Sequence, residues 1–359
     1  MTRMNMDNKD IQSGKTEHLL DVKDLCTYFF TEDGIIKAVD GVSFHIDRSE
    51  VLGIVGESGC GKSITSFSIM RLVTEPGKIL SGQVLFDGLD LLQISEQEME
   101  RVRGNKISMI FQQPGSSHNP VKKVGYLLAE VFEIHEGLGK DVGWRKSIEL
   151  LHVVGIPDPE KKIHAYPHEL SGGQAQRVMI AMALALNPKL LIADEPTTAL
   201  DVTIQAQILD LMRSLRAERG TAIILITHDL GVIAEMADRV AVMYAGEIVE
   251  QADILTLFTR PLHPYTKGLI ASIPILGKVT RHLETIPGNV PNLIDLPVGC
   301  RFAPRCMQRV NYHLTICDKK NPDLIQDANR QQVKCWLYQT TEDHQAPLSM
   351  SGPHTGIII

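Results

Sequence analysis

The sequence of 359 residues has little that would suit it to a membrane interior or to the surface of a nucleic acid. Its longest apolar run, residues 178–186, has nine residues, whereas about twenty are needed to cross a bilayer. Lys and Arg number 36 against 43 Asp and Glu, and the net charge of -7 argues against a protein that coats DNA or RNA. Residues 1–18 lack the apolar segment and cleavage site of a secretion signal. We therefore expect a flexible N-terminal tail and a chain that stays in the cytoplasm.

Cysteine is also scarce, and no two cysteines have the C-x2–4-C spacing typical of structural zinc sites. In a reducing compartment the six thiols are expected to be free or to bind metal rather than to form disulfides. Four of them follow the spacing C-x5-C-x10-C-x17-C: Cys300, Cys306, Cys317 and Cys335. Four thiolates suit a 4Fe–4S cluster or a zinc ion, and the absence of any metal is the third alternative.

Composition and periodicity divide the chain into two modules. Residues 19–255 predict an α/β domain with a β-rich beginning, a helical lobe over about 114–185 and parallel strands buried on both faces. The predicted buried strands are Val51–Val55, Leu190–Ala193 and Ala222–Ile226. After about residue 255 proline recurs and four of the six cysteines follow. This change predicts a small second module over 256–340 and a loose tail over 341–359.

A glycine-rich loop lies between the first of these strands and a segment at helical spacing, Ile64–Leu72. It matches the pattern G-x-x-x-x-G-K-S/T with Gly56, Glu57, Ser58, Gly59, Cys60, Gly61, Lys62 and Ser63. The backbone N–H groups of such a loop surround an anion, and the following helix adds its positive end. Lys62 can then reach the β- and γ-phosphates of a nucleotide, and the Ser63 hydroxyl can bind Mg²⁺.

Cys60 within this loop has two interpretations. It is either a small filler side chain or a thiol whose pKa is lowered by Lys62 and by the helix end. The second interpretation predicts that alkylation of Cys60 blocks ATP hydrolysis and that bound ATP protects the thiol.

Two further segments indicate which reaction the loop takes part in. The strand Leu190–Ala193 is followed by Asp194, which can hold Mg²⁺ through water, and by Glu195, which is placed to activate an attacking water as a general base. Ser171 precedes two glycines and a helical segment, and we predict that it is the N-cap of that helix. A glycine-flanked serine at a helix start is a second place where an anion can bind.

In these motifs the chain resembles the ATP-binding cassette family of transporter ATPases, over about residues 20–255 and in the family's order. The resemblance implies a P-loop NTPase fold with a RecA-like core, an N-terminal β-subdomain and a helical subdomain, followed here by a small cysteine-containing extension. Gly56–Ser63 resembles the Walker A loop, and Asp194 with Glu195 resembles the Walker B pair. ATP and Mg²⁺ are the implied cofactors.

The remaining site residues are implied by the same resemblance. Gln112 resembles the glutamine that touches Mg²⁺ or water. His228 resembles the switch histidine, which shares the γ-phosphate charge with Lys62, Mg²⁺ and the opposing subunit's signature serine. Tyr28 is the best match to the aromatic residue that stacks on adenine, with Phe29 and Phe30 as rivals.

Two motifs are implied to act across a dimer of cassettes that face head to tail with two ATP molecules between them. The signature, which binds the γ-phosphate held by the opposing subunit, is Ser171, Gly172, Gly173 and Gln174, and the D-loop is Ala199-Leu200-Asp201. The second cassette is either a copy of this chain or a sister protein.

The C-terminal segments 260–267, 286–288 and 297–306, with Asn119-Pro120, resemble the branch that imports oligopeptides, dipeptides or nickel. This resemblance implies two transmembrane permease subunits, an extracytoplasmic solute-binding protein, no nucleic acid, and a position at the cytoplasmic face of the membrane. Some members of this branch carry an iron–sulfur cluster on similarly spaced cysteines. A redox- or metal-sensing role of the C-terminal part is compatible with import.

The alternative function is that of a soluble cassette ATPase in DNA repair or translation. Proteins of that kind usually carry two cassettes or long coiled-coil arms, whereas this sequence has one set of motifs and no heptads.

Overall fold

The computed structural model describes residues 18–113, 118–197, 201–272 and 286–351. The predicted N-terminal tail lies outside the described residues except for His18. Ala199 and Leu200 of the predicted D-loop and the end of the predicted C-terminal tail also lie outside them.

The strands form two sheets. In chain order they are β1 (Leu20–Thr31), β2 (Gly34–Ile46), β3 (Val51–Val55), β4 (Gly77–Phe86), β5 (Leu89–Asp90), β6 (Ile107–Ile110), β7 (Leu190–Asp194), β8 (Ala222–Ile226), β9 (Arg239–Tyr244), β10 (Glu247–Asp253), β11 (Ile325–Gln326) and β12 (Gln332–Val333). The smaller sheet is antiparallel, with the order β2-β1-β4-β5. The larger has the order β11-β12-β10-β9-β3-β8-β7-β6 and is parallel from β9 to β6.

The helices cover the larger sheet and form a separate lobe. In chain order they are α1 (Lys62–Ile69), α2 (Glu96–Val102), α3 (Val124–Glu136), α4 (Lys140–Val153), α5 (Pro159–Lys162), α6 (Gly172–Leu184), α7 (Val202–Arg219), α8 (Leu230–Met236), α9 (Ile254–Thr259), α10 (Pro264–Ala271) and α11 (Met307–Asn311). Three short 3-10 turns lie at Pro167–Glu169, Ala303–Arg305 and Thr315–Asp318. No helix within the described ranges is long and apolar enough to span a bilayer.

The central strands are apolar throughout because both of their faces are covered. In β7, Leu190 and Ile192 belong to a core shared with the smaller sheet, while Leu191 and Ala193 belong to a core shared with the helices. All five residues of β7 are buried, and so are all five of β8. This explains why the two strands could be predicted as continuous apolar runs. The parallel arrangement brings the carboxyl ends of β3, β6, β7 and β8 to one edge of the sheet.

The helix ends have local sequence causes. Ser171 is the N-cap of α6, as predicted: its hydroxyl accepts from the Gln174 N–H at 3.3 Å, and the Gln174 side chain accepts from the Ser171 N–H at 3.3 Å. This reciprocal capping box satisfies two N–H groups that the helix leaves without partners. Asp201 is the N-cap of α7 and accepts from the Ile204 N–H at 3.0 Å.

The C-terminal part continues the larger sheet rather than folding beside it. Strand β12 pairs with β10 and carries β11 on its other edge. Glu250 of β10 is fully buried, and its carboxylate accepts from the backbone N–H groups of Leu262 and His263, both at 2.8 Å. A small apolar core around Trp336 and Leu337 packs beneath this part of the chain.

We predict that Gly299→Ala destabilises this C-terminal part by about 1–3 kcal/mol, the usual cost of overpacking. A Cβ at Gly299 would lie 2.1 Å from the carbonyl oxygen of Cys317, which also accepts from the Cys300 N–H at 2.8 Å. Thermal unfolding should show a lower Tm. Gly143→Ala is the matched control: this glycine lies within α4, and its Cβ would make ordinary contacts with Ala129 of α3 from 3.4 Å, so the substitution should cost nothing. Equal melting of the wild type and the Gly299 variant would contradict the prediction.

Candidate functional site

The glycine-rich loop joins β3 to α1 with the strand-loop-helix geometry that the sequence predicts. Gly61 is the N-cap of α1 with φ 108°, and a Cβ there would lie 2.2 Å from the Ala38 carbonyl oxygen. Only glycine fits this backbone at this distance. The loop therefore presents its N–H groups and the helix end without an intervening side chain.

The Lys62 ammonium group lies inside the loop. Its side chain donates to the carbonyl oxygens of Gly56 at 2.8 Å and of Glu57 at 3.0 Å, and the residue is 7% exposed. These two hydrogen-bond partners are neutral, and the charge of Lys62 is felt by the buried Asp194 carboxylate, whose pKa it lowers against the effect of burial. A phosphate group entering the loop would be a direct anionic partner for the ammonium.

The prediction of a low-pKa thiol at Cys60 is wrong. Cys60 is fully buried, and burial raises the pKa of its thiol even though the Lys62 ammonium lowers it. The distance from Lys62 Nζ to Cys60 Sγ is 3.6 Å. Desolvation outweighs the neighbouring charge, so Cys60 is the small filler side chain of the first interpretation.

A cavity of about 370 Å³ opens in front of the loop. Its walls come from the smaller sheet, the loop, the ends of β6 and β7, and the C-terminal part: Phe29, Ile36, Ala38, Ser58, Gly59, Gly61, Lys62, Ser63, Ile64, Gln112, Glu195 and Leu293. An apolar wall beside an anion-binding loop is suited to a base attached to phosphates.

The structure does not bring Tyr28 to this cavity. The Tyr28 hydroxyl donates to Asp40 Oδ1 at 2.6 Å, and burial together with this carboxylate raises the pKa of the phenol. The aromatic residue that lines the cavity is Phe29, which the sequence offered as a rival. Neighbouring residues of a strand point to opposite faces, but β1 has register shifts near residues 22–28. Because of these irregularities, simple alternation along the strand does not predict which face of the sheet each aromatic side chain occupies.

Asp194 is suited to a divalent cation. Its carboxylate is almost fully buried, it has Ser63 as a hydrogen-bonding neighbour, and burial raises its pKa. Within the described part of the chain, its Oδ1 atom has no hydrogen-bond partner. A buried carboxylate oxygen without a partner, next to a hydroxyl at the phosphate loop, fits Mg²⁺ or a water bound to it.

Glu195 is the point where the ends of three strands meet. Gln112, after β6, donates from Nε2 to Glu195 Oε2 at 3.0 Å. His228, after β8, lies with Nδ1 3.3 Å from Glu195 Oε1. Glu195 itself has φ 48°, and its N–H donates to the Ile226 carbonyl oxygen at 2.8 Å. A non-glycine residue held in this left-handed conformation at a cavity is typical of a functional position.

The predicted signature lies away from this cavity. Ser171, Gly172 and Gly173 are at the start of α6 in the helical lobe, and none of them is a wall residue of the cavity. Ser171 and Gly172 are exposed, and nothing in the described structure lies within 4 Å of a Cβ placed on Gly172. The start of α6 is therefore an exposed helix end whose N–H groups are accessible to an anion.

The four predicted metal-ligating cysteines converge in the C-terminal part. Each of the six pairs among Cys300, Cys306, Cys317 and Cys335 is close enough for one thiol to influence the pKa of another. Burial raises the pKa of all four, to about 12 for Cys300 and Cys317. The Arg309 charge lowers the pKa of Cys306 and Cys317 without outweighing burial, so the four thiols remain protonated unless a metal binds them.

The spacing of these thiols is wider than a zinc ion requires. Four sulfurs bound to zinc at about 2.3 Å would lie about 3.8 Å apart. In the described residues, the one group of three or more His, Cys, Asp or Glu ligand atoms within 4.8 Å of one another is His18, His45 and Asp47, which contains no cysteine. His45 is a poor ligand there, because Arg239 donates to its Nε2 atom at 3.1 Å.

Two family descriptions match the chain. The description "ABC transporter" matches residues 39–198, and "Oligopeptide/dipeptide transporter, C-terminal region" matches residues 249–312. The second match begins in β10 and extends past Cys300 and Cys306.

Relatives cover nearly the whole chain. The probable peptide ABC transporter ATP-binding protein y4tR of Sinorhizobium fredii is 51% identical over 325 residues, which are 90% of this chain and 96% of the relative. The oligopeptide transport ATP-binding protein OppD of Bacillus subtilis is 52% identical over 325 residues, 90% of each chain. A solved dimer of the ATP-binding cassette MJ0796, in a post-hydrolysis state with ADP and Pi, has a TM-score of 0.60 and 28% identity. That match covers 66% of this chain and 98% of the solved one, and it confirms the predicted fold class.

The position of Cys60 generates a prediction opposite to the one made from the sequence. We expect iodoacetamide at pH 8 to leave Cys60 unmodified in the folded chain, because the thiol is fully buried and its pKa is raised. Peptide mass spectrometry after timed labelling measures this, with labelling in urea as the control that the reagent can reach the thiol. Labelling of folded Cys60 as fast as in urea would contradict the structure.

Proposed function

The chain belongs to the ATP-binding cassette transporter family, and we propose that it is the subunit that binds and hydrolyses ATP to energise import of peptides of the dipeptide or oligopeptide class. The observation that carries this proposal is the similarity to y4tR and OppD, both named as peptide-transport proteins, over 90% of the chain. The similarity includes the C-terminal part as well as the ATPase core, since the matched region over 249–312 bears the description of oligopeptide and dipeptide transporters.

In this proposal ATP occupies the cavity in front of the phosphate loop. Adenine packs against Phe29, and the phosphates lie in the loop Gly56–Ser63. Lys62 exchanges its backbone partners for phosphate oxygens. The apolar wall and the loop of the 370 Å³ cavity support this arrangement. Ser63, Gln112 and Asp194 hold Mg²⁺, which neutralises phosphate charge, and the unpartnered Oδ1 of Asp194 supports that assignment.

Hydrolysis requires a base next to the γ-phosphate, and Glu195 is the residue we assign to it. Gln112 and His228 orient its carboxylate from opposite sides, at 3.0 and 3.3 Å. A carboxylate held at both oxygens has a fixed direction in which to accept a proton from the attacking water. His228 is more exposed than Glu195, with 65% of its side chain accessible against 15%, and can turn toward the γ-phosphate.

Two cassettes are needed for a complete site. The exposed start of α6 supports the assignment of Ser171, Gly172, Gly173 and Gln174 to the ATP of an opposing subunit, with Asp201 at the same interface. The subunits close because γ-phosphate charge is shared across the interface, and they open when hydrolysis removes it. The opposing subunit is a second copy or a sister ATPase.

Import also needs subunits that cross the membrane. We assign the docking of two permease subunits, at the cytoplasmic face of the membrane, to a groove between the helical lobe and the loop that contains Gln112. An apolar cavity of about 430 Å³ supports this position. Its walls include Phe111, Leu127, Val131, Met179 and Met182. An extracytoplasmic solute-binding protein delivers the peptide, and no nucleic acid takes part.

The alternative function, a soluble cassette ATPase of DNA repair or translation, has no comparable support. The relatives and the C-terminal match described above bear names of peptide transport.

For the C-terminal part we propose a 4Fe–4S cluster held by Cys300, Cys306, Cys317 and Cys335. The convergence of the four thiols supports it, and no three of them in the described structure lie within 4.8 Å of one another, which is wider than zinc requires. When bound, the cluster supplies the cationic charge that allows four thiolates to be buried together.

Glu195→Gln should bind ATP but lose hydrolysis by about a hundredfold or more, because the amide cannot accept the proton of the attacking water. The variant, alone or with its natural partner subunit, should accumulate as a closed dimer in MgATP, detected by light scattering. Glu100→Gln, exposed on α2, is the control. Near-normal turnover by the Glu195 variant would remove this residue from its assigned role.

Anaerobically purified chain should be brown and contain iron and acid-labile sulfide in equal amounts. Cys335→Ser should lose both, whereas Cys26→Ser, in β1, should keep both and serves as the matched control. Metal analysis and the visible spectrum measure this. A colourless chain without iron would contradict the cluster, and zinc in its place would support the second alternative.

A further inference from the structure

The C-terminal part holds one residue of the phosphate loop at two points. Arg305 donates from its two terminal nitrogens to the carboxylate of Glu57, at 2.7 and 3.0 Å. The hydroxyl of Tyr265 accepts from the Glu57 backbone N–H at 2.8 Å. Glu57 is the second residue of the loop, so both its backbone and its side chain are fixed from a segment more than 200 residues away.

Arg305 is held in place by contacts within its own chain. Its side chain is 4% exposed, and its Nε donates to the Pro287 carbonyl oxygen at 2.8 Å. One terminal nitrogen also donates to the Tyr244 hydroxyl at 3.4 Å. The guanidinium lies 5.8 Å from the ring centre of Tyr244 and 6.0 Å from that of Phe302. A planar group held by acceptors and by two rings has one orientation, which suits bidentate pairing with a carboxylate.

The ion pair between Arg305 and Glu57 also changes the charge of the phosphate loop. A nucleoside triphosphate is strongly anionic, and the Glu57 carboxylate belongs to the loop that must bind it. An uncompensated carboxylate on that loop would repel the phosphates, although the Glu57 side chain is 31% exposed and solvent screens part of the repulsion. Lys62 cannot compensate both the Glu57 carboxylate and the phosphates, since its ammonium group is directed into the loop.

We propose that Arg305 is a positioning residue for ATP binding, which neutralises Glu57 and holds the phosphate loop in its anion-binding form. The C-terminal part is then a structural component of the nucleotide site and not only an appendage of the cassette. Arg305 ends the 3-10 turn Ala303–Arg305 and directly precedes Cys306, so the thiol pocket and the clamp on the loop share one short segment.

This inference rests on the proposed ATP site, and its test separates the two. The full-length chain is titrated with Mg²⁺ and an ATP analogue that has an imido group between the β- and γ-phosphorus atoms. Arg305→Met should bind about tenfold more weakly than the wild type, because it leaves the Glu57 charge beside the phosphates. The Glu57→Gln, Arg305→Met double variant should recover most of that loss, since it removes both charges. Arg305→Lys, which keeps the charge but not the bidentate contact, should be intermediate.

Recovery of nucleotide affinity by the double variant would show that Arg305 acts by neutralising Glu57 and not only by stabilising the fold. Arg309→Met is the matched control: Arg309 belongs to the same part of the chain and pairs with Asp318 at 2.9 Å, without a contact to Glu57 among the described interactions. If Arg305→Met fails to fold, the affinities of the double variant and of Arg305→Lys are compared with that of the wild type instead. Unchanged affinity in Arg305→Met, or a double variant as weak as the single one, would overturn the proposal. A wild-type chain that does not bind the analogue would instead overturn the proposed function.

The kinetic readout provides a second measure in the assembled transporter. Arg305→Met should raise the KM for ATP by a similar factor while kcat at saturating ATP stays near that of the wild type, since Arg305 does not touch the cavity that holds Glu195. A fall in kcat with an unchanged KM would contradict a role in nucleotide binding.

Discussion

A buried ammonium group inside a glycine-rich loop is the constraint on which the nucleotide site depends. Lys62 donates to two carbonyl oxygens of its own loop, and these neutral partners satisfy its hydrogen bonds but do not neutralise its charge. The cost of burying such a charge is recovered when phosphate enters. Strand β3, the glycine at the start of α1 and the clamp on Glu57 all serve to keep this loop ready for an anion.

The second requirement for hydrolysis is a carboxylate that faces the same cavity and whose oxygens are held in a fixed orientation. The parallel sheet meets it by ending β6, β7 and β8 at one edge, so that Gln112, Glu195 and His228 come together although 116 positions separate the first from the last. The serine at the start of α6 lies elsewhere, on an exposed helix end. In the proposed function, a chain with this geometry carries half of each of two sites, and a head-to-tail pair would complete both.

The sequence predicts well those features that depend on local pattern. The loop between β3 and α1, the buried strands β7 and β8, and the N-cap at Ser171 all follow from short segments. It predicts poorly what depends on irregular register or on distant contacts. The shifts in β1 put Phe29, not Tyr28, at the cavity. Burial reversed the expected pKa shift of Cys60. The pairing of Arg305 with Glu57 spans 248 positions, so no local sequence pattern predicts it.

The most direct test of the account is the binding isotherm of MgATP to the full-length chain and to Lys62→Ala, measured by titration calorimetry. We expect saturable binding of one ATP per chain. We also expect the variant, which lacks the charged donor to phosphate, to bind about a hundredfold more weakly. Equal affinities, or no binding by the wild-type chain either alone or with its partner subunits, would contradict the claim that this loop is where the protein holds its nucleotide.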